Sequence, residues 1–147
     1  MTLYYSIDDV DEPEITPEYV NRRVDDWLTR LDDLFAQIRV WASANGWTVT
    51  DGGPAPMREE LMERTGVKER KQPSLFVRKA AGAEIWIRPK ALWVIGANGR
   101  VDIYSGNKVF TLVDVADHFQ PPRWVLHRLG KGTKGEPFDP KLLADMV

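Results

Sequence analysis

The sequence predicts an α+β fold: a long N-terminal amphipathic helix packed on a curved antiparallel β-meander of five to six strands, closed by a short C-terminal helix. Three observations predict it. Apolar residues recur at steps of three and four from Tyr19 to Ala42, the spacing of one helix face. Between residues 73 and 128 apolar and polar residues alternate in short runs, the period of half-buried strands. The turns between those runs are too short for parallel crossovers, so successive strands must pair antiparallel.

Each element has local reasons. The 147 residues suit one domain. Residues 1–15 form an acidic lead, in which alternating Leu3, Tyr5 and Ile7 allow a short strand at 2–7. The helix spans 16–46, with Thr16 as N-cap, Pro17 in the first position and Asn45-Gly46 as the stop. Its stripe contains Val20, Val24, Trp27, Leu31, Leu34, Phe35, Ile38 and Trp41, with Asp25, Asp26, Arg30, Asp32, Asp33 and Arg39 largely off it. At 1.5 Å per residue it is about 43 Å long, against a radius of gyration of about 15 Å for such a domain. An overhanging end, able to carry a homodimer contact, is therefore expected.

Residues 47–72 read as a strand at 47–50, a break at Asp51-Gly52-Gly53-Pro54 and a short helix at 56–65. The meander, 73–128, reads as strands at 74–79, 83–88, 91–96, 100–104, 107–113 and 123–128. Ala81-Gly82, Pro89-Lys90, Gly96-Ala97-Asn98-Gly99 and Ser105-Gly106-Asn107 supply the turns. Residues 129–147 hold a basic loop, Gly130-Lys131-Gly132-Thr133-Lys134-Gly135, and a helix capped by Asp139 with Pro140 in its first turn.

Alternation assigns the two faces of the sheet. Leu75, Val77, Ile85, Ile87, Leu92, Val94, Val101 and Ile103 belong under the helix. Phe76, Arg78, Glu84, Trp86, Arg88, Trp93, Arg100, Asp102 and Tyr104 fall on the other side. Aromatic residues interleaved with Arg grip protein partners or stack bases. The competing readings are cross-strand pairing that only stabilises the sheet, or a face covered by 1–15 or 129–147. Trp86, Arg88, Trp93, Arg100 and Tyr104 are the candidate contact residues.

Charge and composition narrow the function. The chain carries a net charge of −2, but residues 1–33 hold ten acids and three Arg, while 34–147 hold 17 basic and 12 acidic groups. The slight overall acidity disfavours a dedicated nucleic-acid binder. With no cysteine, disulfides, thiol catalysis and thiolate metal sites are excluded. No apolar run is long enough to span a bilayer, and the N-terminus lacks the basic start and apolar core of a signal peptide, so a cytoplasmic protein is expected.

Catalytic constellations are sparse. Asp114, Asp117 and His118 form a D-x-x-D-H cluster, which reads as a turn with backbone-capping side chains rather than a metal site. Ser43, Ser74 and Ser105 lie in no nucleophile elbow, and the Gly130–Gly135 loop lacks phosphate-loop spacing. The helix followed by a meander containing Gly99-Arg100-Val101-Asp102 resembles the restriction-endonuclease-like nuclease core. That family holds Mg²⁺ with an Asp on one strand and a Glu-x-Lys on the next. The resemblance implies a metal role for Asp102, with Asp114 as the nearest second carboxylate. The strand 107–114 has no Glu-x-Lys, so the resemblance lacks the family's defining motif.

The sequence therefore points to a non-catalytic protein-interaction module without cofactor or metal, such as an accessory subunit or an inhibitor or immunity-type protein. A nucleic-acid-binding module using the same face with Lys68, Arg70, Lys71 and Lys131 is the alternative, and a metal-dependent nuclease the third reading.

Overall fold

Residues 15–80, 82–128 and 134–147 are described by a computed structural model. The strand expected at 2–7 and most of the Gly130–Gly135 loop lie outside them. Helix α1 (Pro17–Ala44) starts where the capping chemistry requires. The Thr16 side chain accepts from the Tyr19 N–H at 3.1 Å, and Pro17 follows it. The helix ends at Asn45, whose side-chain amide donates to the Trp41 carbonyl at 2.8 Å, and Gly46 turns the chain with φ +75°.

The remaining elements are β1 (Thr48–Asp51), β2 (Ala55–Met57), α2 (Glu60–Arg64), β3 (Arg70–Gln72), β4 (Leu75–Arg78), β5 (Glu84–Ala91), β6 (Arg100–Ser105), β7 (Lys108–Asp114), β8 (Trp124–Arg128) and β9 (Glu136–Pro137). A 3₁₀ helix, Pro140–Met146, completes the chain. Seven strands form one open antiparallel sheet in the order β1-β4-β5-β6-β7-β8-β9, and β2 and β3 form a separate two-stranded ribbon.

One face of the sheet packs on α1. Leu75, Val77, Ile85, Ile87, Val101, Ile103, Leu112 and Leu126 have no exposed surface and meet Val24, Trp27, Leu31, Leu34 and Ile38 of the helix in one core. Trp27 lies within it. Its indole N–H donates to Gln72 Oε1 at 3.1 Å, and its ring lies 6.1 Å from that of Trp124.

Several expectations are corrected. Among the described residues the sheet has seven strands rather than five to six, because β1 joins one edge and β9 the other. Strands at 83–88 and 91–96 do not form separately. One strand, β5, runs through Pro89, where the register to β6 shifts between Pro89 and Ala91. Proline inside a central strand is tolerated at such a bulge because the missing N–H falls where the ladder is already broken. Residues 92–99 become a loop. The helix expected at 56–65 shrinks to Glu60–Arg64, because Pro56 and its neighbours pair with β3 instead. The long helix has no bare overhang, since its buried residues run from Tyr19 to Ala42.

Arg30 is the largest departure. It lies on the buried stripe with 2% of its surface exposed. Its Nε donates to Asp26 and its Nη1 to Asp114, each at 2.6 Å, and its Nη2 reaches the Gln120 carbonyl. Burial opposes the guanidinium charge. The Asp26 hydrogen bond and the Asp114 carboxylate outweigh it, so the Arg30 pKa is raised above its ordinary value.

Candidate protein interface

The face turned away from α1 is built in cross-strand rows. Register aligns Thr50 with Phe76, Phe76 with Trp86, Trp86 with Tyr104 and Tyr104 with Val109. Phe76 and Trp86 stack with centroids 5.7 Å apart and planes 13° apart, and Trp86 meets Tyr104 at 5.5 Å and 35°. Directly opposite positions bring Cβ atoms within about 5.5 Å, so three aromatic residues at matched positions stack without adjustment of the backbone. Trp86 therefore has a ring on either side. Its indole nitrogen is buried without a hydrogen-bond partner among the described residues.

The next row aligns Arg88, Asp102, Thr111 and His127. The Arg88 guanidinium lies 5.1 Å from the Trp86 ring centroid, a cation–π distance. Asp102, only 4% exposed, accepts from Arg100 Nε at 2.8 Å and from the Tyr104 hydroxyl at 3.5 Å. Arg78 pairs with Glu84 at 2.8 Å. Arg88 and Lys90, both exposed, have no ion-pair partner among the described residues. At the far side, Gly135 passes so close that a Cβ there would lie 2.3 Å from Val125 Cγ1.

Of the five candidate contact residues, Trp86, Arg88, Arg100 and Tyr104 share this face. Trp93 does not. It follows β5 in the loop, packs against the core and lies 5.7 Å from the Arg23 guanidinium, while its backbone N–H donates to Glu59 at 3.1 Å. It leaves the face because the strand expected at 91–96 is absent. Two contributors were missed as contacts, Phe76 and Lys90. The alternation Trp86, Arg88, Lys90 was visible but was cut by reading Pro89-Lys90 as a turn.

The residues of the other readings do not converge. Asp102 and Asp114 point to opposite faces of the sheet, as their registers with Thr111 and Trp124 require. Asp114, fully buried, accepts from Arg30 and from the backbone N–H groups of Ala116 and Arg123 at 3.0 and 2.9 Å. It is thus a capping and pairing residue. Among the described residues no group of three His, Asp or Glu could hold a metal ion. Arg70 turns toward the helix and pairs with Asp25 at 2.8 Å, away from Trp86. Lys131 lies outside the described residues. No helix among the described residues is long and apolar enough to cross a membrane.

The fold and this face together define an α+β chain with one helix-covered side and one aromatic, basic side. No known protein family, curated protein or solved structure matches the chain.

Proposed function

We propose that this protein is a small non-catalytic cytoplasmic interaction module, an accessory subunit or an inhibitor or immunity-type protein, that binds an acidic surface of a partner protein. The Phe76–Trp86–Tyr104 row, edged by Arg88 and Lys90 that have no ion-pair partner among the described residues, carries the reading. Aromatic and Arg side chains contribute most of the binding energy at protein interfaces. The row is already ordered by its own stacking, so little side-chain freedom remains to be lost on binding.

The same geometry ranks a protein partner above single-stranded nucleic acid. Base stacking needs a free ring face. Trp86 has Phe76 on one side and Tyr104 on the other, so a base could stack on it only by parting the row.

The test uses the tagged full chain to capture partners from its native extract, with and without nuclease, beside Arg88→Glu. Arg88 is exposed but lies over the Trp86 ring and opposite Asp102, so its reversal should cost about 1 kcal/mol of folding stability, which urea denaturation measures beside the capture. The expected outcome is a stoichiometric protein that survives nuclease and is weakened at least about tenfold by the reversal, or about 1.4 kcal/mol. A partner removed by nuclease would transfer the reading to nucleic acid. A partner indifferent to Arg88→Glu would place the interface elsewhere.

A further inference from the structure

Beside the aromatic row, where the β2–β3 ribbon meets the bulge of β5, lies a cleft of about 150 Å³. Its walls include Pro56, Gln72, Arg88, Lys90, Asp102 and Tyr104. The volume suits one small polar group.

The chemistry of the wall is that of donors. Gln72 is 6% exposed, and its Oε1 accepts the Trp27 indole N–H at 3.1 Å. An indole N–H can only donate, so this bond fixes the amide orientation and leaves Gln72 Nε2 as a donor. That Nε2 has no acceptor among the described residues. Arg88 and Lys90 stand on the same strand two residues apart, and Arg88 is held against the Trp86 ring. The one acid in the wall, Asp102, is neutralised by Arg100 at 2.8 Å. Counting Arg88, Lys90, Arg100 and Asp102, the cleft has a formal charge of +2. Two exposed cations with no ion-pair partner among the described residues, in a wall that also holds an amide, are complementary to a carboxylate, and an Arg fork is matched to that group in shape.

We infer that this cleft takes a carboxylate, supplied by an Asp or Glu side chain of the partner protein, and that this acid seats next to the aromatic row. The inference rests on the interaction-module reading and assigns its specificity determinant.

The test is a titration of the ¹⁵N-labelled full chain with N-acetyl-triglutamate amide, with acetate and with inorganic phosphate. The Gln72 side-chain NH₂ and the Trp86 indole N–H are followed by NMR. The expected result is saturable shifts of the Gln72 NH₂ with the peptide, at least tenfold tighter than with acetate or phosphate. Arg88→Gln with Lys90→Gln should weaken it at least tenfold, and Arg78→Gln should leave it unchanged. Gln72→Glu should abolish binding. Because that residue is buried, the exposed double variant decides if Gln72→Glu fails to fold.

Absence of saturable shifts, or shifts unaltered in the double variant, would overturn the cleft as an anion site. Equal affinity for acetate, phosphate and peptide would overturn its assignment to a partner's side chain. A captured partner that is weakened by Tyr104→Ala yet indifferent to Arg88→Gln with Lys90→Gln would overturn the cleft and leave the module standing. Capture of no partner at all, with the peptide still binding, would overturn the module and the assignment of the acid to a partner, and leave the cleft as a carboxylate site.

Discussion

Trp86 separates what a residue does for the fold from what it does for binding. Its ring fills the row between Phe76 and Tyr104, and its buried nitrogen finds no acceptor among the described residues. Removing an unsatisfied donor while keeping an aromatic ring costs little, whereas truncation leaves a gap. Trp86→Phe should therefore change unfolding free energy by less than about 1 kcal/mol, and Trp86→Ala should cost about 3 kcal/mol. Urea denaturation measures both. Equal losses would mean that the nitrogen is satisfied. The usual alanine test of a hot spot is compromised here, which is why Arg88 is the better probe.

Arg30 poses the same question in the core. Asp114 has no exposed surface and depends on Arg30 for its charged partner. Arg30→Ala should cost about 3–5 kcal/mol, because it leaves a buried carboxylate unpaired. Asp26→Asn should cost under about 1 kcal/mol, since the Asp26 side chain is 25% exposed and water can replace the lost contact. Comparison of the two denaturation midpoints checks the ranking, and a larger loss for Asp26→Asn would reverse it. Neither partner was legible as a pair. An Arg on a helix stripe looks like a break in the pattern until its carboxylate, 84 positions away, is brought beside it.

At the scale of elements, legibility follows how local the cause is. Helix α1 could be read nearly to its ends, because its cap, its first-turn proline and its stop are contained in its own sequence. The face assignment of β4, β5 and β6 was equally readable from alternation. The path after β5 was not. Pro89-Lys90 carries the signature of a turn, and only continued pairing with β6 on either side of Lys90 turns it into a bulge. That bulge sets up the loop before β6 and so places Gly99 against the helix. Gly99 has φ +123°, and a Cβ there would lie 2.2 Å from the Trp27 ring. Gly99→Ala combines backbone strain with overpacking, and should cost about 3 kcal/mol. Thermal unfolding reads the cost. A neutral result would show that the loop moves away from Trp27 freely.

Across the whole molecule, the helix and the Arg88–Lys90 patch lie on opposite sides of the sheet. Glu18, Asp25, Asp32 and Asp33 lie exposed on α1, on one side of the sheet, with Arg22 and Arg39 exposed among them and Asp25 paired with Arg70. Arg88 and Lys90 lie exposed on the other side, beside the aromatic row. The net charge of −2 conceals this arrangement. A locally basic patch steers an acidic partner toward itself during approach. Steering acts on encounter and is screened by salt, with a Debye length of about 10 Å at 0.1 M and about 3 Å at 1 M. The buried contacts of the row are screened far less. For a protein partner, raising the salt across that range should slow association about tenfold and leave dissociation nearly unchanged. Arg88→Glu should flatten the dependence of the association rate on salt. Surface-plasmon or stopped-flow kinetics on the captured complex resolve the two rates. A nucleic-acid ligand would behave differently, because released counterions make affinity fall as a steep power of salt. Such a power law, persisting after Arg88→Glu, would count against the aromatic face as the binding surface.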